Sequence, residues 1–268
     1  MQKIVNIEAT TLPDAWFQVI YNIVEHGRTF IVESGSFCGE TRKELDFVVI
    51  QIKRPWERDV DGLPLIPEMP EGSNVIAPVT KDYIADYAPY LMTGEVAENE
   101  SYTYGQRLND VPLSKEYKDE MLRLKDEIYV DHCGNKALAD VIYEGKGLSQ
   151  VQMAIEVFKK SPRTNQMCMQ IGAPEDMTLI DPPCLRTIDS RVQDGKLHFY
   201  VYFRSWDAWS GLPANLAGIS LLQEHMASEI GIEQGEIIAT SKGLHVYGYA
   251  EEMANLRCML GDDCVNGS

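Results

Sequence analysis

Over 268 residues the chain sets 41 acidic side chains against 24 basic ones, a formal net charge of −17, with 44% of its residues apolar. So acidic a surface repels phosphate backbones and anionic lipid, which argues against general nucleic-acid or membrane-surface binding, and no apolar run approaches the roughly 18 residues of a spanning helix. It leaves room for a small anionic ligand wherever a few arginines share one cleft.

The opening Met1–Asn6 has neither the apolar run nor the small-residue cleavage site of a signal peptide, so a cytoplasmic protein is expected. Thr11-Leu12-Pro13-Asp14 starts a predicted helix in which Trp16, Val19, Ile20, Ile23 and Val24 recur at helical spacing, and Gly27 ends it. Strands are predicted over Thr29–Glu33 and Leu45–Ile52. Residues 54–80 are rich in proline and lack periodicity, so they are read as a long irregular segment. Helices follow at Tyr83–Leu91, Ser114–Tyr129 and Leu148–Lys160, the last stopped by Ser161-Pro162. Met167–Ile171 and Leu197–Phe203 read as strands, Leu216–Ile230 as the most apolar helix, and Glu236–Thr240 and His245–Tyr249 as short strands. The chain from 255 to 268 is expected to be a flexible tail. Strands and helices interleave without a repeat or a linker, which predicts a single α/β domain over 1–268 with a mixed sheet.

None of the six cysteines pairs as C-x-x-C, so a zinc ribbon or a thioredoxin-type site is excluded. His132 beside Cys133 is the one place where a metal could be considered, and no metal is expected. Pro182-Pro183-Cys184-Leu185-Arg186 puts a thiol after two rigid residues and beside a guanidinium, whose charge would favour the nucleophilic thiolate. Arg204 and Ser205 follow a β pattern and suit a phosphate; a salt bridge is the plainer role for Arg204. Asn215 offers a donor and an acceptor side by side, matching the O4 and N3–H edge of uracil, or else caps a helix. His245 and Tyr247 alternate on one strand face and could grip sugar hydroxyls, unless they are simply core residues.

Taken together, the order P-C, R-S-x-D, G-L-P-x-N and H-x-Y, with its spacing, resembles the thymidylate synthase family over residues 163–250. P-P-C-L-R is similar to the archaeal branch, since Leu185 and Gly243 stand where most bacterial members have histidine and aspartate. The resemblance implies an α/β (α+β) fold of the thymidylate synthase type: a mixed twisted sheet flanked by helices, paired sheet on sheet in a homodimer. It implies that Cys184 adds to C6 of dUMP and that Tyr104 assists proton removal at C5. Arg204 and Ser205 would hold the phosphate, with Arg163 donated to the partner subunit's phosphate site. Asn215 would read the uracil edge, and His245 with Tyr247 the deoxyribose hydroxyl. Asp207 and Gly211 would hold the cofactor, 5,10-methylene-tetrahydrofolate or a related methylene-tetrahydropterin. The family's general-acid glutamate has no matching residue, and Asp86 is taken as the candidate. The short apolar C-terminus that closes over the cofactor in the family is not recognised here. The activity implied is dTMP synthesis, with a pyrimidine nucleotide 5-hydroxymethylase, and then a nucleotide binder without turnover, as the alternatives.

Overall fold

The computed structural model describes residues 2–258 except 71, 73–74, 99, 117–118 and 120–146. Most of the helix expected at Ser114–Tyr129 therefore lies outside the described residues, as do His132, Cys133, Cys264 and the tail from 259.

In chain order the elements are β1 (Ile4–Ala9), α1 (Leu12–His26), β2 (Arg28–Ile31), β3 (Thr41–Ile52), α2 (Lys81–Met92), α3 (Tyr104–Asn109), α4 (Gln150–Lys160), β4 (Cys168–Gln170), a 3-10 turn (Pro174–Thr178), β5 (Leu185–Gln193), β6 (Lys196–Phe203), β7 (Trp206–Asp207), α5 (Gly211–Ile230), β8 (Glu233–Tyr247) and α6 (Gly248–Arg257). The strands form one mixed sheet ordered β1-β3-β8-β6-β5-β4, with β2 added beside β3 and β7 beside β8. Cross-strand partners share a face, so Ile50, Ala239, Val201, Ile188 and Met169 make one continuous inward row. All five are buried, and they belong to the same core cluster as Trp16, Val19 and Ile20 of α1 and Leu216, Ile219 and Leu222 of α5. The neighbouring rung, Gln51, Ile238, Tyr200, Asp189 and Cys168, points the other way, and Tyr200 is 37% exposed.

Local chemistry sets the helix ends. Thr11 Oγ1 accepts the Asp14 N–H and Ser149 Oγ the Gln152 N–H, each satisfying an otherwise free donor of the first turn. The apolar helix α5 begins five residues before its expected start, because the Asp207 carboxylate accepts the N–H groups of Ser210 and Gly211 and Pro213 sits within the first turn. Asn215 therefore lies inside this helix and is not its cap. The two short strands expected after residue 235 are one, β8, which runs through the turn-like Ser241-Lys242-Gly243 with Gly243 at φ +66°. Tyr249 has left the strand for α6, and residues 255–257 form the last turn of that helix, so a flexible tail does not begin at 255. No helix among the described residues is long and apolar enough to cross a membrane.

Candidate active site

Sheet topology brings the distant motifs to one end of the interior strands. β6 runs parallel to β8 and antiparallel to β5, so the end of β6, the end of β8 and the start of β5 coincide. Leu185 pairs with Phe203, and the Arg204 N–H donates to the Cys184 carbonyl at 2.8 Å. β7 then pairs Asp207 with His245, and the Ala208 N–H donates to the His245 carbonyl at 2.7 Å. Cys184, Arg204, Ser205, Asp207, His245 and Tyr247 are thus gathered by backbone pairing before any side-chain contact is considered.

Cys184 is half-buried on a loop held by charge. Asp176, 1% exposed, accepts from Arg107 at 2.8 Å, Arg186 at 3.2 Å and the Ala173 N–H at 2.7 Å. Arg186 is the extra residue of a bulge between Leu185 and Thr187, and the bulge re-aims its side chain toward Asp176 and the Pro183 carbonyl. Gly172 makes room for it, since a Cβ there would stand 2.3 Å from the guanidinium. Arg204 donates to the carbonyls of Pro183 and Pro182, which leaves three of its five N–H groups for a ligand. Burial pushes the Cys184 thiol up, and Arg204 and Arg186, both partly engaged by backbone carbonyls, do not outweigh it. The two guanidiniums do pull the thiol pKa down, as the sequence suggests, but burial outweighs them.

Around the sulfur stand aromatic hydroxyls. Tyr104 Oη accepts the Leu185 N–H at 3.3 Å, and burial raises its pKa, so it keeps its proton. Asn215 Oδ1 accepts the Trp206 indole N–H at 2.9 Å, and Asn215 Nδ2 donates to Tyr87 Oη at 2.7 Å. Burial raises the Tyr87 pKa as well. His245 is buried; its Nδ1 donates to the Gly243 carbonyl at 2.8 Å, and burial holds its pKa below the usual value, so the ring is neutral. Its Nε2 is then an acceptor, and it has no partner among the described residues. Tyr247 lies edge-on to that ring, with centroids 4.5 Å apart, and stacks on Phe37 at 4.3 Å. Phe37 belongs to the β2–β3 loop, which also reaches Asp181 through Ser36.

Asp207 faces a cavity of about 410 Å³ walled by residues 77–80, Tyr83, Ser210, Gly211 and Asn215. Its Oδ2 accepts from the Ser210 N–H, the Ser210 hydroxyl and the Gly211 N–H, while Oδ1 takes the Trp209 N–H and keeps acceptor capacity. The irregular segment 54–80 thus ends as a wall of this cavity. Two expected residues are not gathered: Asp86 is exposed on α2, and Arg163 is exposed in the turn after α4. Tyr87, Trp206, Tyr83 and Asp176 were missed in the sequence; each looks like an ordinary aromatic or acidic residue until the fold supplies its partner.

A family model for thymidylate synthase matches residues 97–260. The chain is 28% identical to a Methanosarcina acetivorans protein named "Putative thymidylate synthase", over 92% of this chain and 91% of that one. Methanosarcina mazei and Methanococcoides burtonii proteins of the same name are 27% and 28% identical, over 92% and 91% of this chain and 91% and 89% of theirs.

Proposed function

The chain belongs to the thymidylate synthase family, and from that premise we propose that it makes dTMP from dUMP through a covalent bond between Cys184 and C6 of the pyrimidine. The observation that carries this reading is the convergence of Cys184, Arg204, Asn215, Asp207 and His245, from four separate segments, at one end of the sheet.

Binding comes first. Arg204, with Ser205 beside it, takes the nucleotide phosphate on its remaining N–H groups, and Arg163 does so from the partner subunit. The unpartnered Nε2 of His245 accepts the deoxyribose hydroxyl proton, with Tyr247 against the same group. Asn215 reads the uracil edge. With the ring fixed above the sulfur, the Cys184 thiol gives its proton to solvent and the sulfur adds to C6, which makes C5 a carbon nucleophile. Tyr104, protonated and fixed by the Leu185 N–H, orders the water that takes the C5 proton once C5 carries its new carbon. Expulsion of the Cys184 sulfur then restores the ring.

The cavity beside Asp207 fits a reduced pterin. Oδ1 retains capacity for one pterin N–H, Tyr83 offers a ring face, and the Gly211 backbone allows close approach. When bound, a methylene-tetrahydropterin such as 5,10-methylene-tetrahydrofolate supplies the one-carbon unit and the hydride. Asp207 and Gly211 orient it, and residues 77–80 exclude water from the junction with Asn215.

The outward sheet rungs carrying Val49, Thr240, Tyr202, Ile238 and Tyr200 suit a sheet-on-sheet homodimer, with Arg163 exposed close in sequence to edge strand β4. Incubation with dUMP, dCMP and methylene-tetrahydrofolate, followed by mass analysis of the nucleotide, tests the reading. A methyl gain on dUMP is expected. A hydroxymethyl gain identifies the sister hydroxymethylase instead, and an unchanged nucleotide with stoichiometric binding identifies a binder.

A further inference from the structure

We propose that Trp206 is a specificity-determining positioning residue: its indole N–H locks the Asn215 amide in one orientation and so sets the choice of uracil over cytosine. The proposal rests on the reading of Asn215 as the group that faces the base.

An indole N–H donates and never accepts, so the Asn215 atom 2.9 Å from Trp206 Nε1 has to be the carbonyl oxygen. The amide nitrogen then faces Tyr87 Oη at 2.7 Å. One N–H and one lone pair of the amide remain, and Asn215 lines the cavity beside Asp207. Uracil presents an acceptor at position 4 and a donor at position 3, and cytosine presents the reverse. A pyrimidine held at C6 by a sulfur and at its phosphate by arginine cannot turn over to suit the amide. The amide would have to turn instead, which sets its NH2 against the buried indole N–H, donor against donor.

Trp206 cannot swing aside. It is 2% exposed, stacks on Phe203 with centroids 3.8 Å apart and planes 5° from parallel, and sits in β7 paired to β8. Tyr87 imposes no such polarity, because a hydroxyl can rotate to donate to an oxygen as readily as it accepts from an amide nitrogen. Tyr87 therefore steadies the amide, and Trp206 alone sets its sense.

The test measures dissociation constants of dUMP and dCMP by calorimetry on the full chain. The variants are Trp206→Phe, Trp206 replaced by benzothienylalanine (the same bicycle with sulfur for N–H), Tyr87→Phe and Asn215→Ala. An unsatisfied buried donor corresponds to about a 10- to 100-fold discrimination. Deleting the N–H is expected to narrow the dUMP-to-dCMP preference about 10-fold or more, mainly by tighter dCMP binding, while Tyr87→Phe weakens dUMP with the preference kept. The benzothienyl isostere decides the matter if the phenylalanine variant fails to fold. An isostere with the parent preference, alongside an Asn215→Ala variant that has lost it, overturns the lock and spares the base reading. If Asn215→Ala keeps the parent preference, the base reading falls, and the lock with it.

Discussion

Asp176→Asn is expected to lower stability and loosen the loop that carries Cys184. The carboxylate is 1% exposed and bridges Arg107 and Arg186, whose side chains are 19% and 24% exposed. An amide keeps the shape and removes the charge, leaving two guanidiniums facing each other with one neutral acceptor between them. Charged hydrogen bonds contribute about 1.5–3 kcal/mol each, and two are weakened. Residual exposure of both arginines discounts the sum to about 3 kcal/mol, the low end for breaking a buried pair. For a chain of this size that corresponds to a melting-temperature loss of about 6–12 °C by scanning calorimetry at neutral pH. The pH dependence supplies a second readout. Burial raises the Asp176 pKa, but the Ala173 N–H and the two arginines outweigh it, so the folded value is depressed. That stability is present above the ordinary carboxyl range, near about 4, and is lost as pH falls through the depressed value, a loss the Asn variant should not share. A variant melting within about 2 °C of the parent would refute the charge clamp.

Other predictions concern the site itself. Arg204→Gln should weaken dUMP by about 10- to 100-fold and, by removing a cation that pulls the Cys184 pKa down, move the pH profile of iodoacetamide alkylation further up; an unchanged profile contradicts the assignment. His245 has a pKa depressed by burial, so its contribution is full above the ordinary histidine range and is lost as pH falls through the folded value. His245→Gln should flatten stability between about pH 6.5 and the acid limb, and an identical slope in both proteins would count against a neutral buried ring. Gly218→Ala would gain about 1 kcal/mol of helix propensity in isolation. Its Cβ, however, would stand 2.7 Å from the Tyr87 ring and 2.8 Å from Leu91, so a net loss of about 1–3 kcal/mol with weaker dUMP binding is expected; a melt at or above the parent's contradicts this.

Where one face of an element is buried and local chemistry marks its end, the sequence was readable. Helix α1 shows both: Trp16, Val19, Ile20 and Ile23 are buried at helical spacing behind the Thr11 cap. Strand β5 hides its buried face, because the bulge at Arg186 shifts its alternation and one of its buried positions is Ser190. The short β1, with alternating burial from Ile4 to Ala9, gives a weaker signal than the helix that follows it. The motif residues were legible as ordered blocks, whereas their partners were not. Tyr87 meets Asn215 across 128 residues, and nothing near Tyr87 in the chain announces it. The acid candidate fell on Asp86, one residue from the side chain that turns inward, since an isolated carboxylate carries more chemical suggestion than a tyrosine in a run of tyrosines. At Cys184 the neighbouring cations were legible and do favour the thiolate, whereas the burial that outweighs them was not.

Tritium release from 5-tritiated dUMP, in the presence of methylene-tetrahydrofolate, is the most direct measurement of sulfur attack on the ring. The parent chain should release tritium, and Cys184→Ser should bind dUMP without releasing any. Release at the parent rate by the serine variant, or none from the parent at saturating dUMP, would contradict the account.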